Sequence, residues 1–282
     1  MVHNKQGIDM LHGRIWTKVL RFALPVAATG ILEQLFNASG IMIVGNFSQS
    51  DGTAAVAAVG SNAPVTGLIL NLFIGIALGA NVVIANAIGR GSREAVRNAV
   101  HTSIVTALIG GVIVAIIGEL LAGPLLGMLN VTADVFPLAL AYLRIYLIGM
   151  PVILLYNFET AIFRSIGDTQ APLAVLAISG VLNVTVGLIF VVLFHWGVSG
   201  VATATVIANV VSSMILLYRL VHTDAAIHVD LREFGIDWFT LRQILRIGLP
   251  AGVQSAVFAV ANIIIQAAIN SLGTVVMAAS SA

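Results

Sequence analysis

Cysteine is absent from this 282-residue sequence, which excludes a disulfide framework and any thiolate metal site. Charge is almost as scarce. Asp, Glu, Lys and Arg make up 9% of the chain, against about 25% in a typical soluble globule. Walker-A, HExxH and GxSxG patterns are missing too, and no Ser/His/Asp constellation stands out, so enzymatic chemistry is not expected. No metal, cofactor or nucleic-acid partner is called for. The first 18 residues are mixed and polar, with no small-residue cleavage pattern after a short apolar core, unlike a cleaved signal peptide. Glycine-rich runs such as GGVIVAIIG (110–118) lie inside apolar stretches. There they favour close helix packing over phosphate binding.

What is present is apolar. Hydrophobic residues account for 59% of the chain and the mean hydropathy is +1.04. Runs of about 20 apolar residues are long enough to cross a bilayer as helices. Seven such spans are expected, near 19–44, 56–87, 99–121, 137–163, 173–194, 198–220 and 241–269. The breaks between them are short and turn-like, so neighbouring spans run antiparallel. The one long link, 223–240, is acidic and ends in an amphipathic stretch (Leu231, Phe234, Ile236, Trp238, Phe239). That stretch is expected to lie along the membrane surface, a solvated linker being the alternative. The fold class is therefore all-α and polytopic.

The chain also restarts its own pattern. LRFALPVAATGILEQLFNASG from Leu20 returns from Leu245 as LRIGLPAGVQSAVFAVANIII, pairing Pro25 with Pro250 and Asn37 with Asn262. Long-period self-similarity marks repeats. The division expected is a cytoplasmic N-terminal segment (1–18), a six-helix transmembrane lobe (19–222), an interlobe linker (223–240) and the first helix of a second, parallel lobe (241–282). On this reading Ala282 is an artificial or premature end and a second lobe is needed for full function. Lys18, Arg21, Arg90, Arg93, Arg97, Arg164, Arg219, Arg242 and Arg246 all fall on one side. By the positive-inside rule that side is cytoplasmic, N-terminus included, in a multi-pass protein of the plasma (cell inner) membrane.

Glu33 is the sharpest candidate for chemistry. A carboxylate near the middle of a span faces a bundle interior or a wet cavity. At 100° per residue it shares a stripe with Asn37 and Gly40. Its alternative is structural hydrogen bonding to a neighbouring helix. Asn157, Asn183, Thr205 and Asn209 also lie inside spans, where single polar residues more often join helices. Gln254, Asn262, Gln266 and Asn270 recur at multiples of four, as a cavity wall or a packing face. Gln34, Asn157, Gln254, Asn262 and Gln266 are the candidate cavity-lining positions. Glu119 and Arg144 are expected to form a structural ion pair. Glu159 is expected to reach the inner interface, and Arg164 the headgroups. Gly167, Asp168 and Thr169 followed by Pro172 supply turn chemistry.

Several of these stretches resemble multidrug and toxic compound extrusion (MATE) transporters. FRSIGDTQAP (163–172) looks like the loop after their fourth span. LFNASGIMIVGNF with AVAAVGSNAPV looks like their first and second spans. GANVVIANAIGRGSREAV and GVSGVATATVIA look like later segments in the right order. The resemblance implies twelve spans in two lobes. It also implies export of small-molecule drugs or organic cations, driven by inward flow of sodium ions or protons. Asn183 and Thr205 fall on family positions lining a cation site of the first lobe. Two carboxylates common in relatives are glycines here, Gly40 and Gly187. Some sodium-linked relatives place a glutamate eight residues after the seventh-span proline. That position is Phe258 here, whereas the same offset from Pro25 is Glu33. Cation and substrate binding is therefore assigned to Glu33, Asn37, Asn183 and Thr205. A lipid-linked flippase of the same superfamily and a non-transporting membrane remnant or scaffold are the other readings.

Overall fold

The structure is a computed structural model describing residues 15–48, 52–230 and 235–281. Of the amphipathic stretch expected on the membrane surface, Leu231 and Phe234 lie outside the described residues. Those described fold as α-helices without strands: α1 (Ile15–Phe47), α2 (Gly52–Gly89), α3 (Arg93–Met128), α4 (Phe136–Ile148), α5 (Met150–Ser165), α6 (Gln170–Leu188), α7 (Gly197–Val221), α8 (Trp238–Asn270) and α9 (Thr274–Ser281). This is the all-α polytopic fold expected. A bilayer offers backbone groups no water, so each segment must satisfy its own N–H and C=O groups as a helix.

The expected spans fall within helices, with two differences. The fifth, 173–194, continues from α6 through a π-helical segment, Ile189–Leu193, and ends one residue beyond it. The fourth is broken, because α4 and α5 meet at a bend of 54°. The break has a local cause. Pro151 stands in the first turn of α5, where it lacks an amide hydrogen and crowds the turn before it. Gly111 of α3 opposes the bend; a Cβ there would lie 2.9 Å from Pro151 N and 3.1 Å from the Met150 carbonyl.

Two dry cores stabilise the bundle, one toward each end. At one end Ile84, Val100, Phe158, Ile162, Leu216 and Leu220 are buried together. At the other, Val44, Ala58, Leu126, Leu143, Leu147 and Val198 pack against one another. Glu119 and Arg144 form the expected ion pair, 3.5 Å apart between α3 and α4. The turn after α5 also follows its residue chemistry. Gly167 adopts φ 79°, the Asp168 amide donates to the Phe163 carbonyl and the Gly167 amide to Arg164, both characteristic of a Schellman C-cap. The Asp168 carboxylate then accepts from the amides of Gln170 (3.1 Å) and Ala171 (3.0 Å), starting α6.

The start of the link between α7 and α8 is docked onto the bundle. Ala225, Ile227 and Val229 are buried in the first of the two cores, and the Val229 amide donates to the Leu220 carbonyl. With its proton on Nδ1, His101 donates to the Arg97 carbonyl (2.8 Å) and accepts at Nε2 from the Asp230 amide (3.2 Å). The Asp237 amide donates to the Thr102 hydroxyl at 3.0 Å. Asp237 in turn caps α8, accepting from the Thr240 amide and hydroxyl. Those bonds, the hydroxyl's first, hold its carboxyl below the usual carboxylate range. Trp238 and Phe239 remain 75% and 71% exposed, as aromatic residues at a membrane–water boundary do.

α8 packs lengthwise on α2 through facing glycines. Gly75 and Gly79 meet Gly248 and Gly252 with the two backbones in direct contact. Small residues four apart allow this approach, and without a hydrophobic force between helices in lipid, such packing is what joins them. A Cβ at Gly79 would lie 2.7 Å from Gly248 N and 2.9 Å from its Cα. Gly79→Leu is therefore expected to cost about 1–3 kcal/mol of stability and to detach α8. The measure is thermal unfolding in detergent together with cysteine cross-linking between α2 and α8. Gly123→Ala, at a position with nothing within 4 Å, leaves both unchanged.

Candidate functional site

Between the two dry cores, at mid-depth, six helices enclose a cavity of about 180 Å³. α1 contributes Glu33, Phe36 and Asn37; α6 contributes Ser179 and Asn183; α7 contributes Thr205, Asn209 and Ser212. The bend at Gly149 brings Tyr146 from α4 and Tyr156 and Asn157 from α5 onto the same wall. Gly180 lets α1 and α6 close up, since the Phe36 ring rests where its Cβ would be. Glu33 and Asn37 are exposed at the open edge, whereas Tyr156, Ser179 and Ser212 are buried in the wall.

The wall is ordered by its own hydrogen bonds. The Asn183 amide donates to the Thr205 hydroxyl (3.2 Å), which donates to the Val201 carbonyl (3.0 Å). Asn209 donates to the Thr205 carbonyl (2.9 Å) and Asn157 to the Ile153 carbonyl (2.8 Å). Each amide thereby commits its nitrogen to protein and leaves its oxygen to accept. Acceptor oxygens beside one carboxylate suit a cation or a proton better than an anion. Among the described residues Arg164 is the cation whose field reaches Glu33. No group of three or more His, Asp or Glu gathers as a metal site among the described residues.

Residues 25–189, more than half of the chain, match the MatE family model. The chain belongs to the MatE family. A probable multidrug resistance protein, YpnP of Bacillus subtilis (strain 168), is 25% identical over 272 residues, which cover 95% of this chain and 59% of that protein. A solved inward-facing conformation of a multidrug resistance MATE family transporter of the MOP superfamily matches with a TM-score of 0.81 at 26% identity, over 92% of this chain and 60% of that one. A solved outward-facing conformation, described in the same terms, matches with a TM-score of 0.82 at 28% identity, over 91% and 56%. The chain therefore spans less than two thirds of the length of the relatives it matches.

The MatE cavity gathers six of the residues singled out in the sequence: Glu33, Asn37, Asn157, Asn183, Thr205 and Asn209. The other candidates lie elsewhere. Gln34 is exposed beside Glu33 but off the cavity wall, and Gln254 and Asn262 are exposed on α8. Gln266 donates to Asn270, whose own amide donates to the Leu129 carbonyl at the end of α3 at 2.8 Å. That end of the polar face of α8 joins helices. Tyr146, Tyr156, Ser179 and Ser212 escaped the sequence reading. The GMP triplet at 149–151, a break in an apolar run, was the available signal for the two tyrosines.

Gly40 does not open space beside Glu33. It is buried, and a Cβ there would lie 3.2 Å from Val201 Cγ1; one at Gly187 would meet Ile43 Cδ1 at 3.6 Å and Ala204 Cβ at 3.8 Å. The two positions where relatives carry aspartates thus face apolar side chains. Gly40→Asp is expected to destabilise the protein by at least ~1–3 kcal/mol, because it buries an unmatched polar group. Val201→Ala in the same chain relieves part of that loss, and Gly187→Ala alone is neutral. Thermal unfolding of the purified variants in detergent reads all three.

Proposed function

We propose that this chain forms the first lobe, and the start of the second, of a multidrug efflux transporter of the MatE family. It exports cationic or amphiphilic small molecules in exchange for sodium ions or protons. The observation that carries the reading is a single carboxylate, Glu33, at the edge of a mid-membrane cavity whose ordered amides and hydroxyls offer acceptor oxygens. Glu33 attracts a cation from either source, so coupling ion and substrate compete for one charge. That competition is what an antiporter needs. The lobe matches inward- and outward-facing relatives equally well, which supports alternating access by rocking of whole lobes. The cavity is too poor in positive charge to favour a lipid-linked flippase.

On this reading residues 19–222 are the first lobe, 223–240 the interlobe linker and 241–282 the opening of a second. The arginine-rich ends of α2, α5 and α7 and the start of α8 face the cytoplasm, as does the N-terminus. A reporter enzyme active only outside the cytoplasm, fused after Asp224, should stay silent; activity there would invert the topology.

The decisive test uses the protein made from its complete reading frame. Glu33→Gln keeps the shape and removes the charge. It is expected to leave expression and membrane insertion unchanged and to abolish export of tetraphenylphosphonium driven by a sodium or proton gradient. Export at the unsubstituted rate would show that Glu33 only joins helices.

A further inference from the structure

Behind the cavity wall lies a second acidic side chain that the transport reading leaves unused. Glu159 follows Tyr156 by three residues on α5 and is wholly buried, with 0% of its surface exposed. It does not reach the interface, as its position near the end of the span had suggested. Neither carboxylate oxygen has a hydrogen-bond partner among the described residues, and the same holds for the Tyr156 and Thr160 hydroxyls. Four polar oxygens on one helix turn are thus buried together and unsatisfied. Native proteins keep such groups rare, so a cluster calls for an explanation in function or in an occupant.

The surroundings narrow the occupant. From α7, Ser213 lies near enough to Glu159 to interact without reaching hydrogen-bond geometry. α2 presents Asn81, whose amide is committed to the Ala161 carbonyl at 2.8 Å. On α3, His101 is tied to the Arg97 carbonyl and to the Asp230 backbone. α4 presents Tyr146 to the cavity, and α6 carries no titratable side chain. On α5 itself, Arg164 acts on Glu33 and Tyr156. Among the described residues no cation compensates Glu159, and a lone buried carboxylate is too unfavourable to persist. Tyr156 and Ser212 line the cavity, but Glu159, Thr160 and Ser213 do not. Glu159 has no exposed surface for a hydrated ion to reach, and a proton needs none.

We propose that Glu159 is a proton-binding site of this lobe, set one residue layer behind the cavity and exchanging its proton with the cavity through the Tyr156 hydroxyl. The transfer is balanced. The Tyr156 hydroxyl, unpartnered among the described residues, turns to accept the Glu159 proton and passes its own to a water in the cavity, leaving Glu159 as a carboxylate. That carboxylate becomes tolerable when a cation sits in the cavity. A cation in the cavity and a proton on Glu159 therefore exclude one another. The coupling rests on the cavity being the cation site; the proton on Glu159 does not.

Infrared difference spectroscopy on the full reading-frame protein in lipid reads this directly. The carbonyl stretch of a protonated carboxyl group is expected at neutral pH, to vanish in Glu159→Gln and to persist in Glu33→Gln. Ser213→Ala, which keeps the acid and removes its neighbour, should shift the frequency of that band. Adding tetraphenylphosphonium should shrink it in the unsubstituted protein. A band untouched by Glu159→Gln, or unshifted by Ser213→Ala, would overturn the site. A band that tetraphenylphosphonium leaves unchanged would make Glu159 a fixed structural acid and overturn the exchange. Failure of the Glu33 reading looks different: export survives Glu33→Gln while the Glu159 band still responds.

Discussion

Everything in this lobe depends on where polar groups are allowed inside a bilayer. Lipid cannot hydrogen-bond, so a polar side chain at mid-depth must be surrounded by protein or by water that protein holds. The chain meets that constraint by stacking three zones. A dry core lies toward each end of the bundle. Between them, six helices turn their few amides, hydroxyls and one carboxylate inward to a common cavity. The cores exclude water and ions along the helices. The cavity is then the place where a charged solute can rest.

The cavity exists because the helices are not straight rods. The 54° bend between α4 and α5 carries Tyr146 and Tyr156 onto one wall. The Gly111 contact with Pro151 gives that bend its room, and Gly180 lets Phe36 close the gap between α1 and α6. On the far side of α2, the glycine contact with α8 holds the next helix close without side chains between them. The apolar packing around Gly40 and Gly187 fits the same picture. With no carboxylate at either position, the charge of this lobe's cavity is concentrated at Glu33.

Much of this was legible in the residues. Hydropathy located the spans, because twenty apolar residues have few other uses. Glu119 and Arg144 announced their pairing, since opposite charges near one face of neighbouring spans gain by meeting. Gly167 and Asp168 announced their turn. Glu33, Asn37, Asn157, Asn183, Thr205 and Asn209 were picked out because polar residues are costly inside a span, and all six meet in one cavity. What was missed or left open shares a cause. The docking of Ile227 and Val229, the choice between wall and packing face for Gln266 and Asn270, and the full burial of Glu159 depend on which helix lies opposite. Helical periodicity gives a residue's face but not the neighbour of that face. Proximity to the end of a span suggested a route to water for Glu159, yet the linker folds back over that end.

The central claim is that a wet cavity at mid-membrane is sealed between two dry cores. Cysteine is absent from these 282 residues, so single cysteines placed among them meet no native thiol there. The direct measurement is the labelling rate of a membrane-impermeant, charged thiol reagent at Asn183→Cys in the cavity, compared with Val44→Cys and Val100→Cys in the two cores, in the protein made from its full reading frame. The account predicts labelling at residue 183, slowed by tetraphenylphosphonium, and none at 44 or 100. Equal labelling at all three positions, or none at 183, would contradict it.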